Sequence, residues 1–356
     1  MSDLFKKMVV VGSMSGQTKQ RVRAFRELGY DVTMISETPE NYAPGINYHP
    51  SIMDRIRHRL RRPADKNGIN KKLIDLCHHE KVDLLWVEKA LSLKPETLLE
   101  IVKSNLDMKL AWYSGDDMFA KHNQSLYFLK SLPYYDVVFT TKSYNAHPNE
   151  LPALGARRVE FTNKAFDHDF HAPIEFSEED KKRLGADVGF IGTFEKDRAD
   201  KMLYLAKNGI HVRVWGNEWG SYVGKHPNLQ VENKPIYDED YRKAICATRI
   251  NLCFLRKLNR DLQTDRTMEI PACGAFMLAE RTDEHRVLFE EDKEAVYFDI
   301  NKPEELLEKV KYYLSHEDER KEIALAGRRR CLKSDYSHEA ALKEMLSKIE
   351  KVFCGE

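Results

Sequence analysis

Short apolar runs alternate along the chain with apolar positions at helical spacing. Met8-Val9-Val10-Val11-Gly12 is a continuous apolar run closed by glycine, the pattern of a strand buried on both faces. The loop Ser13-Met14-Ser15-Gly16-Gln17-Thr18 follows. Val22, Phe25 and Leu28 then recur at helical spacing up to Gly29, and residues 30–35 read as the next strand. Further units repeat the rhythm: helices around 70–77 and 95–102, strands at 83–87, 109–113 and 137–141, and a short last unit ending at 159–161. The alternation predicts a mostly parallel, doubly wound sheet.

The rhythm breaks over residues 162–186, which are irregular and then charged, and restarts at Val188-Gly189-Phe190-Ile191-Gly192. Residues 211–216 form a strand ending in Gly216, residues 250–255 another, and 295–298 a late one. Residues 303–314, 317–331 and 337–353 read as helices, the last with Ala341, Met345, Ile349 and Val352 on one face. The expected architecture is α/β, with two Rossmann-like domains facing a cleft. A first domain would cover 1–170 and a second 171–335. A terminal helix, 336–356, would pack back on the first domain.

Composition narrows the class. The chain has 356 residues, long enough for two cores, and 42% of them are hydrophobic. Lys+Arg and Asp+Glu both number 57, so no global field favours nucleic acid. No window approaches a membrane-spanning length, and residues 1–7 lack the apolar core of a signal peptide. The six cysteines form no C-x-x-C pair and read as reduced thiols, so a cytoplasmic protein is expected. Residues 52–62 stand apart as a basic amphipathic helix, with Ile52, Met53, Ile56 and Leu60 as its apolar stripe. It reads either as a solvated surface helix or as a peripheral contact with anionic lipid at the inner face of the membrane.

The richest stretch is Asp261-Leu262-Gln263-Thr264-Asp265-Arg266-Thr267-Met268-Glu269-Ile270-Pro271-Ala272-Cys273-Gly274. Asp261 and Glu269 lie eight residues apart, with Arg266 three before the second. A carboxylate that must stay ionised belongs at a helix start, where free N–H groups favour negative charge. Pro271 would kink or shorten that helix. Glycines at Gly12, Gly192 and Gly216 allow a backbone to approach phosphate, and Ser13 and Arg198 sit near two of them. In the first half, Asp116 and Asp117 end a strand. They suit either a general base or a helix N-cap, and His122 is a lesser candidate base.

Gly189-Phe190-Ile191-Gly192, Trp215-Gly216 and the run from Arg266 to Phe276 resemble the CgeB-like (spore maturation, YkvP-like) glycosyltransferases. So do residues 288–294, Ala326-Gly327-Arg328, Phe139-Thr140-Thr141-Lys142 and residues 154–159. The resemblance implies the GT-B fold, a sugar-nucleotide donor on the second domain, an acceptor on the first, and no cofactor or obligate metal. The acceptor would be a carbohydrate, a lipid-linked molecule or a protein. The related E-x7-E enzymes place a first carboxylate where Asp261 stands, near the transferred sugar, and a second at Glu269, on the donor ribose. Arg266, with Lys257 and Arg198, would then face the diphosphate. Whether transfer retains or inverts configuration stays open.

Two rival readings remain. Ser13–Thr18 fits a flavodoxin-like phosphate loop, which would make the first domain an FMN-binding redox module. A non-catalytic protein that binds nucleotide sugars on the same fold is the other. A P-loop and an NAD fingerprint are absent from the sequence. The D-x-D triplets at 167–169 and 238–240 sit in linker-like or helix-start surroundings rather than in a metal site of the GT-A kind.

Overall fold

The computed structural model describes residues 6–14, 16–38 and 51–353, the side chains of 352 and 353 excepted. Ser15, Cys354 and the Val352 side chain fall outside the described residues. The chain divides into two compact units, Met1–Asn163 with His338–Glu356, and Lys164–Ser337.

Unit 1 runs β1 (Lys7–Gly12), α1 (Gly16–Glu27), β2 (Asp31–Ser36), α2 (Ile52–Arg59), α3 (Ile69–His79), β3 (Leu84–Glu88) and α4 (Pro95–Ser104). It continues through β4 (Lys109–Ser114), α5 (Leu126–Ser131), β5 (Val137–Thr140) and β6 (Val159–Phe161). These strands pair in parallel, in the order β2-β1-β3-β4-β5-β6. Alternate residues serve opposite faces. Val9 and Val11 join Leu73, Leu98 and Phe128 on one side, whereas Met8 and Val10 join Val22 and Phe25 on the other. This double burial explains the unbroken apolar runs in the sequence.

Unit 2 repeats the plan: α6 (Glu178–Leu184), β7 (Val188–Ile191), α7 (Lys196–Lys207), β8 (Val212–Trp215), β9 (Leu229–Val231), α8 (Asp238–Ala247) and β10 (Ile250–Cys253). Then come α9 (Asp265–Ala272), β11 (Met277–Glu280), α10 (Asp283–Leu288), β12 (Val296–Phe298), α11 (Pro303–Ser315) and α12 (Glu317–Lys333). Its strands are also parallel, ordered β12-β11-β10-β7-β8-β9. The final helix, α13 (His338–Phe353), returns to unit 1, where Leu342, Met345, Leu346 and Ile349 complete the core over α1.

In both sheets the strand order reverses beside the unit's first strand: between β1 and β3 in unit 1, and between β7 and β10 in unit 2. Loops leaving the two strands at such a point diverge to opposite faces and leave a crevice at the carboxyl edge.

Several elements differ from the sequence expectations. β9 is a three-residue edge strand, too short to show a period. The charged run at 177–184 is a helix, α6, started by Ser177, whose hydroxyl accepts from Asp180 N at 3.0 Å. Asp116 and Asp117 do not cap the following helix; α5 begins later, with the Ser125 hydroxyl accepting from Phe128 N at 2.9 Å. By contrast, α9 is short as Pro271 implies: it stops after eight residues, with Pro271 one residue from its end.

Candidate functional site

The switch point of unit 2 gathers the glycines and arginines of the second half. β7 leads into Gly192, whose carbonyl accepts from the Trp219 indole at 2.8 Å. Gly216 has φ of 153°, and a Cβ there would lie 1.9 Å from the same carbonyl, so only glycine lets the two loops meet. After a short loop, α7 carries Arg198 back over Phe190 of β7.

Arg198 is 2% exposed and lies over the Phe190 ring, 5.0 Å from its centroid. One guanidinium nitrogen donates to the Thr193 carbonyl. Its Nε and Nη1 have no hydrogen-bond partner among the described residues. Burial is the largest influence on its pKa and lowers it. Glu195 acts in the opposite sense, Arg266 and Arg256 reinforce the fall, and the result is about 10, still a cation at neutral pH. Arg266, on the first turn of α9, lies 5.8 Å from the same ring centroid. It is half-buried, and its Nε is also without a partner among the described residues. Two guanidinium groups thus share one aromatic ring, and no carboxylate among the described residues is paired to either. A buried unpaired cation costs several kcal/mol unless an anion arrives to compensate it.

Glu269 lies one turn beyond Arg266 and is buried. It accepts a hydrogen bond from the Tyr241 hydroxyl. Burial, then the charge of Glu269, raises the Tyr241 pKa, so the phenol keeps its proton and donates. His171 Nε2 faces the other carboxylate oxygen at 3.6 Å. Because His171 Nδ1 accepts from Asp167 N at 2.9 Å, the ring proton sits on Nε2 and points at Glu269. The Tyr241 hydroxyl therefore fixes one carboxylate oxygen, and the His171 ring stands beside the other.

The start of α9 is held by a second buried chain. Thr264 N donates to Thr267 Oγ1 at 3.0 Å, Thr267 Oγ1 contacts His285 Nε2 at 2.9 Å, and His285 Nδ1 lies 2.7 Å from the Glu280 carbonyl. The carbonyl accepts only, so Nδ1 carries the proton and Nε2 accepts from the threonine. Lys164, nearly buried, pairs with Asp265 at 2.9 Å. The first turn of α9 is thus fixed by Lys164 and Thr267 before any ligand is considered.

Other candidates have different places. Lys257 is exposed and pairs with Asp197 at 2.6 Å, which directs its charge to a carboxylate. Asp261 accepts from Asn259 Nδ2 at 2.8 Å and from Arg256 N at 3.3 Å, so it shapes the 256–261 loop. In unit 1, Asp117 is fully buried and accepts from Phe119 N and Asn145 Nδ2, at 3.1 and 2.9 Å. Asp116 is half-exposed and forms an ion pair with Lys89. His122 is exposed. Gly12 is required by packing, since a Cβ would lie 2.8 Å from Glu88 Cβ. The Ser13 hydroxyl meets that of Thr38, and Thr18 donates to Glu88 at 2.9 Å. Among the described residues, no group of three or more His, Cys, Asp or Glu is placed to hold a metal ion.

Sequence reading does not find His171, Tyr241, Lys164 or His285. His171 stands just after the D-x-D triplet in the irregular linker, where no period marks it. Glu280 is a further buried carboxylate at the end of β11. Burial raises its pKa to about 7, although Leu255 N, 2.7 Å away, opposes the rise.

Two outcomes follow from this geometry. Arg198→Met keeps the packing volume and removes an unpaired buried charge. It is expected to leave unfolding stability unchanged or raise it by ~1–2 kcal/mol; a loss above ~3 kcal/mol in urea melts would make Arg198 a structural cation. Burial lowers the His285 pKa from 6.5 to about 4, with the Glu280 carbonyl opposing. Above 6.5 both folded and unfolded imidazoles are neutral. Below it the unfolded chain takes up a proton that the folded chain refuses until about pH 4, so stability falls as pH drops through that window, by about 3 kcal/mol. His285→Gln is expected to flatten the urea-midpoint profile there by that amount, and superimposable profiles would contradict the assignment.

Known proteins share this architecture. Residues 198–347 match a family model described as glycosyl transferase-like, a span that takes in most of unit 2 and part of α13. No curated protein matches the sequence significantly. Among solved structures, an alpha-glucosyltransferase in complex with UDP and a 13-mer DNA is similar, with a TM-score of 0.69 at 14% identity, over 97% of this chain and 99% of that one. Sucrose-phosphate synthase from Thermosynechococcus elongatus gives 0.63 at 11% identity, over 99% and 100%. HepE from Anabaena, solved with UDP and glucose, gives 0.63 at 10% identity, over 97% and 100%. Two six-stranded parallel sheets with these neighbours are the GT-B fold, and the fold and the family match together support a GT-B glycosyltransferase.

Proposed function

We propose that this protein moves a sugar from a nucleoside-diphosphate donor to an acceptor hydroxyl, and that unit 2 binds the donor. The observation that carries the reading is the pair Arg198 and Arg266, two guanidinium groups over Phe190 with no carboxylate among the described residues paired to either. Arg266 is the half-exposed member, the one an incoming diphosphate reaches. Arg198, buried over the same ring, adds charge in a low-dielectric place where that charge acts strongly. As the bond to the sugar breaks, negative charge grows on the diphosphate, and fixed cations stabilise it without reorganisation. Glu269, held by Tyr241 with His171 beside it, accepts from the two ribose hydroxyls.

Unit 1 supplies the acceptor in this proposal, and Asp116 is its candidate base. Asp117 is committed to the backbone of the following turn and to Asn145. Asp261 is assigned to its loop rather than to the sugar. The finer placement among the CgeB-like enzymes, with a role in surface-polysaccharide, spore-coat or protein glycosylation, is proposed on the sequence resemblance. A flavin on Ser13–Thr18 is disfavoured, because the Ser13 and Thr18 hydroxyls serve Thr38 and the Glu88 carboxylate. The UDP found in the neighbouring structures makes UDP the first nucleotide to try.

The test is a thermal-shift screen of the purified protein against UDP, GDP, dTDP and CMP, since a ligand that binds the native state alone raises the melting temperature. One nucleoside diphosphate is expected to stabilise the protein. Glu269→Ala is expected to weaken its binding by roughly 30- to 100-fold, the value of charge-assisted hydrogen bonds to a diol. Removing the acceptor for Tyr241 also costs about 1–3 kcal/mol of stability, and Glu269→Gln separates the two effects because it keeps an acceptor there. Unchanged nucleotide affinity in both variants would remove Glu269 from the donor site.

A further inference from the structure

We infer that α2 is a docking surface for an anionic lipid bilayer. The helix is short but well started: the Ser51 hydroxyl accepts from Asp54 N at 3.1 Å, and the Asp54 carboxylate accepts from Ser51 N at 3.2 Å. Its far end is tied to unit 1 by the Arg61 carbonyl, which accepts from Leu126 N at 2.7 Å, and by the Arg61 side chain on Gln124. Between those ties the helix buries no residue at all. A surface helix ordinarily turns its apolar stripe inward. Here Ile52, Met53, Ile56 and Leu60 are 77%, 55%, 47% and 57% exposed. At about 100° per residue they fall within one narrow face.

The rest of the helix surface says what would cover that face. Arg55, Arg57, Arg59 and Arg62 are all exposed, and none has an ion-pair partner among the described residues. The one acid, Asp54, pairs with Lys66 at 2.8 Å. The whole chain is electrically balanced, so this is a local cationic field around an apolar stripe on a neutral molecule. That combination matches an interface where acyl chains lie beneath anionic headgroups: the stripe enters and the guanidinium groups stay at phosphate level. A globular partner would need a shaped groove, whereas a bilayer needs only the stripe and its charged flanks. Among the described residues no helix is long and apolar enough to cross a membrane, so the contact is peripheral. The surface belongs to unit 1 and is independent of the donor site proposed for unit 2.

The experiment is co-sedimentation of the full chain with vesicles of phosphatidylcholine alone or mixed with phosphatidylglycerol, at low and high salt. Binding is expected to the mixed vesicles only and to weaken between ~0.1 M and ~1 M NaCl, where screening shortens the reach of the charges. Arg55→Glu with Arg59→Glu is expected to lower the partition coefficient by more than ~10-fold. Ile56→Glu, an exposed position that leaves the fold intact, is expected to lower it on the mixed vesicles as well. Far-UV circular dichroism and the melting temperature should stay at wild-type values in both variants. Absence of binding, equal binding to neutral vesicles, or undiminished binding by the variants would overturn the proposal. So would concentration-dependent dimerisation abolished by Ile56→Glu, which would show that a second copy covers this face.

Discussion

Each unit of this protein places an arginine on the first helix after its first strand at the switch point, where the strand order reverses, and the two arginines have opposite fates. Arg21 in unit 1 meets Glu88 in a bidentate pair, with Nε to Oε1 at 2.7 Å and Nη2 to Oε2 at 2.6 Å. That crevice is electrostatically closed from within. Arg198 in unit 2 is as deeply buried, yet the neighbouring strand β10 runs out through Cys253-Phe254-Leu255 and offers no carboxylate. Arg266 then adds a second guanidinium over the same ring. The asymmetry between two copies of one architecture is the physical reason why the proposed anionic ligand is placed on unit 2.

A few buried contacts of unit 2 surround that cationic pair and Glu269. Gly192 and Gly216 let two loops approach to a distance no side chain would allow. Thr267 and His285 hold the first turn of α9 through buried hydrogen bonds, and the neutral state of His285 is part of the device. Tyr241 and His171 reach Glu269 from different segments. In the proposed donor site, a carboxylate already held by Tyr241 loses less freedom when a diol binds, so more of its hydrogen-bond energy appears as affinity.

The fold is largely legible in the sequence. Unbroken apolar strands such as Val9–Val11 and the helically spaced Val22, Phe25 and Leu28 mark a parallel sheet covered on both faces, and that is what the structure contains. Short elements, β9 and α6 among them, escape such a reading because a period needs more length to show. In the proposed site, Glu269 and Arg266 lie on one short helix, so their spacing in sequence carries over to the fold. Arg198 carries little weight as a sequence position because its proposed role rests on unpartnered guanidinium nitrogens, and pattern does not report a missing partner. Lys257 and Asp261 have the right residue types, but nearby Asp197 and Asn259 take up their charge and hydrogen bonds. His171 and Tyr241 lie far from Glu269 in sequence and meet it only through the fold.

In the proposed function an unpaired cationic pair in unit 2 binds the diphosphate of a nucleotide. Isothermal titration of the wild-type protein, Arg266→Met and Arg198→Met with UDP and with uridine tests it most directly. The wild type is expected to prefer the diphosphate over the nucleoside by at least ~100-fold, the value of two charge-assisted contacts. Arg266→Met is expected to remove most of that preference and Arg198→Met to reduce it about tenfold through the lost charge. A preference for the diphosphate that is the same in all three proteins would contradict it.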